Sequence, residues 1–116
     1  MKKLYVVGNK ASKSLSPTIF NYWFKKYNIK ASYGYLELTE KNFHNKIKDI
    51  LKKKDTLGLN VTIPFKNKII KHLGKIDAHA KKIGAVNCVT NKKTINGTNT
   101  DWTGYYKTLP NIKQTK

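Results

Sequence analysis

A chain of 116 residues has the length of one domain and can bury an ordinary core, and it contains no apolar run near the roughly 18 residues that a membrane span needs. Its 24 basic residues against 6 acidic ones give a formal net charge of +18, which by itself would suit nucleic acid. Every basic residue is a lysine, spread along the chain, so the planar guanidinium that grips phosphate or reads guanine is missing; specific nucleic-acid binding is set aside, and a field that attracts small anionic metabolites is kept.

The chain opens MKKLYVVG, where the apolar run Leu4 to Val7 is too short for the h-region of a signal peptide, about 7–15 residues, and reads as a first strand over Lys3 to Gly8. The polar loop Asn9 to Ser16 follows. Ser16-Pro17 looks like an N-cap with proline in the first helical position, and Ile19, Phe20, Trp23, Phe24 and Tyr27 recur at helical spacing, as a core-facing stripe of a helix ending near Tyr27. ASYGYLEL, residues 31 to 38, is a second strand. Thr39 is expected to cap a lysine-rich helix from Glu40 to Lys54 with Phe43, Ile47, Ile50 and Leu51 inside.

Residues 57 to 63 form a third strand, in which Leu59, Val61 and Ile63 alternate with Asn60 and Thr62. Pro64 stops the ladder, since it has no N–H, and residues 65 to 73 read as a short helix closed by Gly74. Asp77 can cap another short helix through Ile83. GAVNCVTN and TINGTN, separated by Lys92 and Lys93, read as a β-hairpin. A last helix starts near Asp101 or Trp102 and carries Tyr105, Tyr106 and Leu109, before the polar tail 110–116. The single Cys88 excludes an internal disulfide and fits a reducing, cytoplasmic setting.

Alternating strands and helices predict an α/β domain with a mainly parallel sheet, helices on both faces and the hairpin near the C-terminal end. Ligands of such sheets sit outside the carboxyl ends of the strands. That rule gathers the first loop, the end of the third strand and the loop after the hairpin. In the first loop Ser14 and Ser16 either cap a helix and face solvent or hold a carboxylate at its N-terminus. Lys66 is either one more solvated lysine or a proton-exchanging group. Asp101 is either a helix cap or a partner that holds the Lys66 ammonium, and Asn87, among apolar neighbours, calls for a specific partner.

GNKASKSLSP, NVTIPFK, GAVNCV and GTNTDWTG, in this order from Val7 to about Leu109, closely resemble the signature blocks of the substrate-binding domain of the shikimate dehydrogenase family. The resemblance implies reversible, NADP-dependent reduction of 3-dehydroshikimate to shikimate, a step towards chorismate and the aromatic amino acids. It implies that Ser14 and Ser16 bind the substrate carboxylate and that Asn60, Thr62, Asn87 and Asp101 hold ring hydroxyls. Lys66 would exchange the proton of the reacting oxygen, with Asp101 orienting it. Residues 1–109 would be the substrate-binding domain, and 110–116 a linker towards an NADP-binding domain. The sequence departs from the family at Lys10, where proline is usual, at Lys13, where histidine is usual, and at Cys88, where threonine is usual. Its glycines form no G-x-G-x-x-G turn, so no NADP is expected on this chain, and the chain alone is expected to be inactive. A quinate-using relative, and a non-catalytic stand-alone binding module, are the alternatives. No metal is expected; the partners are the small acid and, through exposed apolar surface, a second copy of the chain.

Overall fold

Three apolar stretches become the parallel half of a sheet in the computed structural model, which describes residues 1–100: β1 (Lys2–Gly8), β2 (Ala31–Glu37) and β3 (Thr56–Val61). β1 lies between the other two and is parallel to both. The expected hairpin is β5 (Cys88–Asn91) and β6 (Ile95–Thr98), antiparallel to each other, with β5 antiparallel to β3. A two-residue strand not anticipated from the sequence, β4 (Lys75–Ile76), pairs parallel with β6 and completes a six-stranded sheet in the order β2-β1-β3-β5-β6-β4. The sheet is mostly parallel and carries helices on both faces, as expected.

Val7, Leu59 and Val61 turn to one face, where they meet Phe43 and Ile47 of α2 (Phe43–Lys52), Ala80 of α3 (Ala78–Ile83), and Phe65 and Ile69 around a 3-10 turn at Lys68–His72. Phe43 and Phe65 are fully buried and stack with ring centroids 4.3 Å apart. Each such side chain contributes about 1.5–3 kcal/mol through apolar burial. On the other face α1 (Ser16–Lys26) lies along β2, and Phe20 and Phe24 pack on Val6, Ala11 and Tyr33.

That second face corrects the expected aromatic core stripe. Ile19, Trp23 and Tyr27 are 44%, 46% and 64% exposed, and α1 buries no residue completely. The helix covers mainly the edge strand β2, so there is room for one inward row, and the flanking row overhangs solvent. Three element boundaries also move. The Lys-rich helix is regular only from Phe43 instead of Glu40; the Thr39 side chain still caps it, its Oγ1 accepting from the Asn42 N–H at 3.2 Å while the Thr39 N–H donates to Asn42 Oδ1 at 2.9 Å, and residues 40–42 form a turn between them. The third strand ends at Val61, two residues early, and the helix expected over 65–73 shrinks to the 3-10 turn at Lys68–His72. The Asp77 cap forms as expected, its carboxylate accepting from the N–H groups of His79 and Ala80. The expected last helix and the 110–116 tail lie outside the described residues. No described helix is long and apolar enough to cross a membrane.

Candidate functional site

The end of β3 is held by backbone bonds on both sides. The Thr62 N–H donates to the Val7 carbonyl (2.8 Å), the Asn9 N–H to the Ile63 carbonyl (3.3 Å) and the Val61 N–H to the Asn87 carbonyl (2.8 Å). After Val61 the chain turns through a cis Ile63–Pro64 peptide into Phe65, whose ring is anchored in the core against Phe43. Lys66 therefore sits in the turn ahead of the 3-10 segment, not in a helix, and its carbonyl accepts from the Val86 N–H at 2.8 Å. Burial of Phe65 and the Val86 bond place the Lys66 backbone beside the sheet end.

Around this turn lies a cleft of about 300 Å³ lined by Ser16, Asn60, Thr62, Lys66 and Asn87, with Phe20 as its apolar wall. Ser16 and Thr62 also border an adjoining hollow of about 650 Å³ that reaches Ser14, Lys10 and Lys13 of the first loop. Five of the seven residues singled out in the sequence thus share one cleft, and Ser14 stands next door. Asp101 lies outside the described residues, so its expected pairing with Lys66 does too.

The helix cap expected at Ser16 does not form. The cap residue is Leu15, which makes no side-chain cap; Ser16 opens α1, and the Ser14 Oγ accepts from the Ser16 N–H at 3.1 Å in a local turn. The Ser14 hydroxyl proton remains available to a ligand. The loop is stapled to the end of β2 by Ser12, whose N–H and Oγ both donate to Glu37 Oε1 at 3.1 and 2.6 Å. Those bonds, the side-chain one foremost, hold the Glu37 carboxyl below the usual carboxylate range. Lys10 and Lys13 stay exposed in the same loop and give the hollow a positive rim.

Asn87 has the specific partner that its setting called for: its Oδ1 accepts from the N–H and the hydroxyl of Thr100 at 2.8 and 3.1 Å. With the amide oxygen engaged, the amide nitrogen is the end left to donate. Tyr33 was missed by the sequence reading. It is 4% exposed, lies beneath the cleft, and donates from its hydroxyl to Asn60 Oδ1 at 2.6 Å. Burial pushes its phenol up to about 12, against a lowering hydrogen bond from the Ser16 side chain. A tyrosine in an alternating strand reads as packing, and no local signal shows that its hydroxyl crosses β1 to reach β3.

Gly8 ends β1, where a doubly wound fold would place pyrophosphate, yet a Cβ there would clash with Thr62 Cγ2 and lie 3.3 Å from the Ile63 carbonyl oxygen. The glycine serves a close approach of β3 to β1, and the chain beyond it enters a 3-10 turn (Ala11–Lys13), not the N-terminus of a long helix. No group of three or more metal-ligating side chains occurs among the described residues.

Residues 6–89 match the family model of the shikimate dehydrogenase substrate binding domain. The whole chain is 39% identical to the shikimate dehydrogenase (NADP(+)) of Pelagibacter ubique and spans 46% of that protein. Over 97% of its length it is 41% identical to that of Clostridium perfringens, of which it spans 42%. Shikimate 5-dehydrogenase from Listeria monocytogenes, solved in complex with shikimate and NAD, superposes with a TM-score of 0.86 at 30% identity, over 97% of this chain and 39% of that one. The chain spans less than half the length of these relatives, and on the family-model match and these identities it belongs to the shikimate dehydrogenase substrate-binding domain family.

Proposed function

We propose that this chain holds shikimate and 3-dehydroshikimate for an NADP-dependent shikimate dehydrogenase of chorismate and aromatic amino acid biosynthesis, working in the cytoplasm. The observation that carries this reading is the convergence of Ser16, Asn60, Thr62, Lys66 and Asn87, from three separate stretches of chain, on one cleft beside Ser14. Hydroxyls and amides around the apolar wall of Phe20 suit a small polyol acid, and the lysine rim suits its carboxylate.

In this reading Ser14 and Ser16 donate to the carboxylate, while Asn60, Thr62 and Asn87 bond the ring hydroxyls. Lys66 gives a proton to the oxygen that becomes a hydroxyl and takes it back in the reverse direction; Asp101 steadies its ammonium. Hydride delivery belongs to a nicotinamide cofactor seated outside the described residues. Residues 1–116 alone therefore bind the acid weakly and turn nothing over.

The test is a titration of shikimate into isotope-labelled chain, followed by backbone amide shifts, with Lys66→Ala alongside. Saturable shifts clustered at Ser14, Ser16, Asn60 and Asn87 are expected. A folded chain without saturable shifts sinks the reading, and NADP-dependent oxidation of shikimate by the purified chain sinks the claim of inactivity.

A further inference from the structure

Tyr33 is fixed from three directions. Its backbone N–H donates to Asn21 Oδ1 and its carbonyl accepts from Asn21 Nδ2, at 2.9 and 2.8 Å. Its ring lies almost parallel to Phe20, with centroids 4.8 Å apart and planes 9° apart. Its hydroxyl meets Asn60 Oδ1 at 2.6 Å, although β2 and β3 are separated in the sheet by β1. A side chain held in this way has no rotamer to spare, so its hydroxyl is a fixed point beneath the cleft.

An asparagine amide presents an acceptor at one end and two donors at the other, and turning it over exchanges them at little steric cost. Whatever holds one end decides which chemistry the other end offers. The Asn60 oxygen is taken by Tyr33, and Asn60 lines the cleft.

We propose that Tyr33 is a positioning residue that locks the Asn60 amide with its N–H groups towards the cleft, so that this position accepts a ligand oxygen able to receive a hydrogen bond and rejects a donor-only group. The phenol stays a donor through neutral pH, because burial pushes its ionisation up to about 12. The ligand named in the test rests on the functional reading above; the orientation of Asn60 does not.

The experiment compares Tyr33→Phe, Asn60→Ala and the double variant by shikimate titration of labelled chain. Tyr33→Phe is expected to keep its fold, with amide shifts confined to the neighbours of Tyr33 and Asn60, and to bind about tenfold more weakly. In the Asn60→Ala background the same substitution is expected to change affinity less than about twofold. An equal loss in both backgrounds, or no loss in either, overturns the proposal, since Tyr33 would then act through packing or not at all. In the ligand-free chain, proton–proton cross-peaks from the Asn60 side-chain NH2 to the Tyr33 ring are expected to be weak; strong ones mean that the amide is turned over, and they overturn the proposal too. Absence of shikimate binding by the unsubstituted chain would sink the functional reading and leave the cross-peaks to decide the orientation.

Discussion

The exposed side chain of Asn21, on α1, pairs with the backbone of Tyr33 on β2 through both of its polar ends, at 2.8 and 2.9 Å. β2 is an edge strand of the sheet, and an edge strand leaves unpaired N–H and C=O groups that invite another chain. Asn21 mimics a further strand at one residue and closes that pair of groups.

Asn21→Ala is therefore expected to lower stability by about 1–2 kcal/mol, the worth of two modest hydrogen bonds. Urea unfolding would read the loss as a shift in midpoint without a change in slope. Sedimentation should also show increased self-association, since the freed groups at Tyr33 add to the apolar row of Ile19, Trp23 and Tyr27 already exposed on α1.

Gly8 and Thr62 form a second testable pair. A methyl at Gly8 would collide with Thr62 Cγ2, so Gly8→Ala is expected to cost about 1–3 kcal/mol. Thr62→Ser removes that methyl and should restore most of the loss. Thermal melts of the two single variants and the double variant would show it as strong non-additivity; additive losses would mean that the backbone near Gly8 is the true obstacle.

Phe65 ties the core to the turn that bears Lys66. Its ring is fully buried and stacks on Phe43. Phe65→Ala is expected to cost about 3–5 kcal/mol by cavity formation, whereas Phe65→Leu should cost much less. Denaturant melts check both. If the ring also fixes where Lys66 sits, Phe65→Leu will weaken shikimate binding while the fold survives.

The His44 and His72 rings meet at 2.8 Å between Nδ1 and Nε2, a bond that needs one ring neutral. Burial, together with the nearby Lys71 and Lys68, lowers the pKa of His44; burial, His44 and the lysines 71 and 48 lower that of His72. The unfolded chain then binds more protons than the folded one below the ordinary histidine value of about 6.5, so stability falls as pH drops through that window. The melting temperature is expected to rise between pH 5 and pH 7.5, and the double variant His44→Gln, His72→Gln should flatten that rise. Glu40, paired with Lys68 at 2.8 Å, stays ionised throughout and does not reverse the sign.

Short-range pattern made much of this protein legible from its residues alone. The apolar run Leu4 to Val7 marked β1, period-two alternation marked β3 and the Asp77 cap marked α3, because each depends on neighbours within a few positions. The polar residues of NVTIPFK and GAVNCV announced a site, since an amide or hydroxyl amid apolar neighbours needs a partner. Tertiary structure alone decided the rest. The outer row of α1 is exposed because that helix lies along an edge strand, which no periodicity encodes. The third strand stops at Val61 because the chain turns at Ile63 and Pro64 to carry Phe65 into the core against Phe43. Tyr33 touches the cleft residue Asn60 because its hydroxyl reaches over β1 to a residue 27 positions away, a contact set by strand order and not by spacing in the chain.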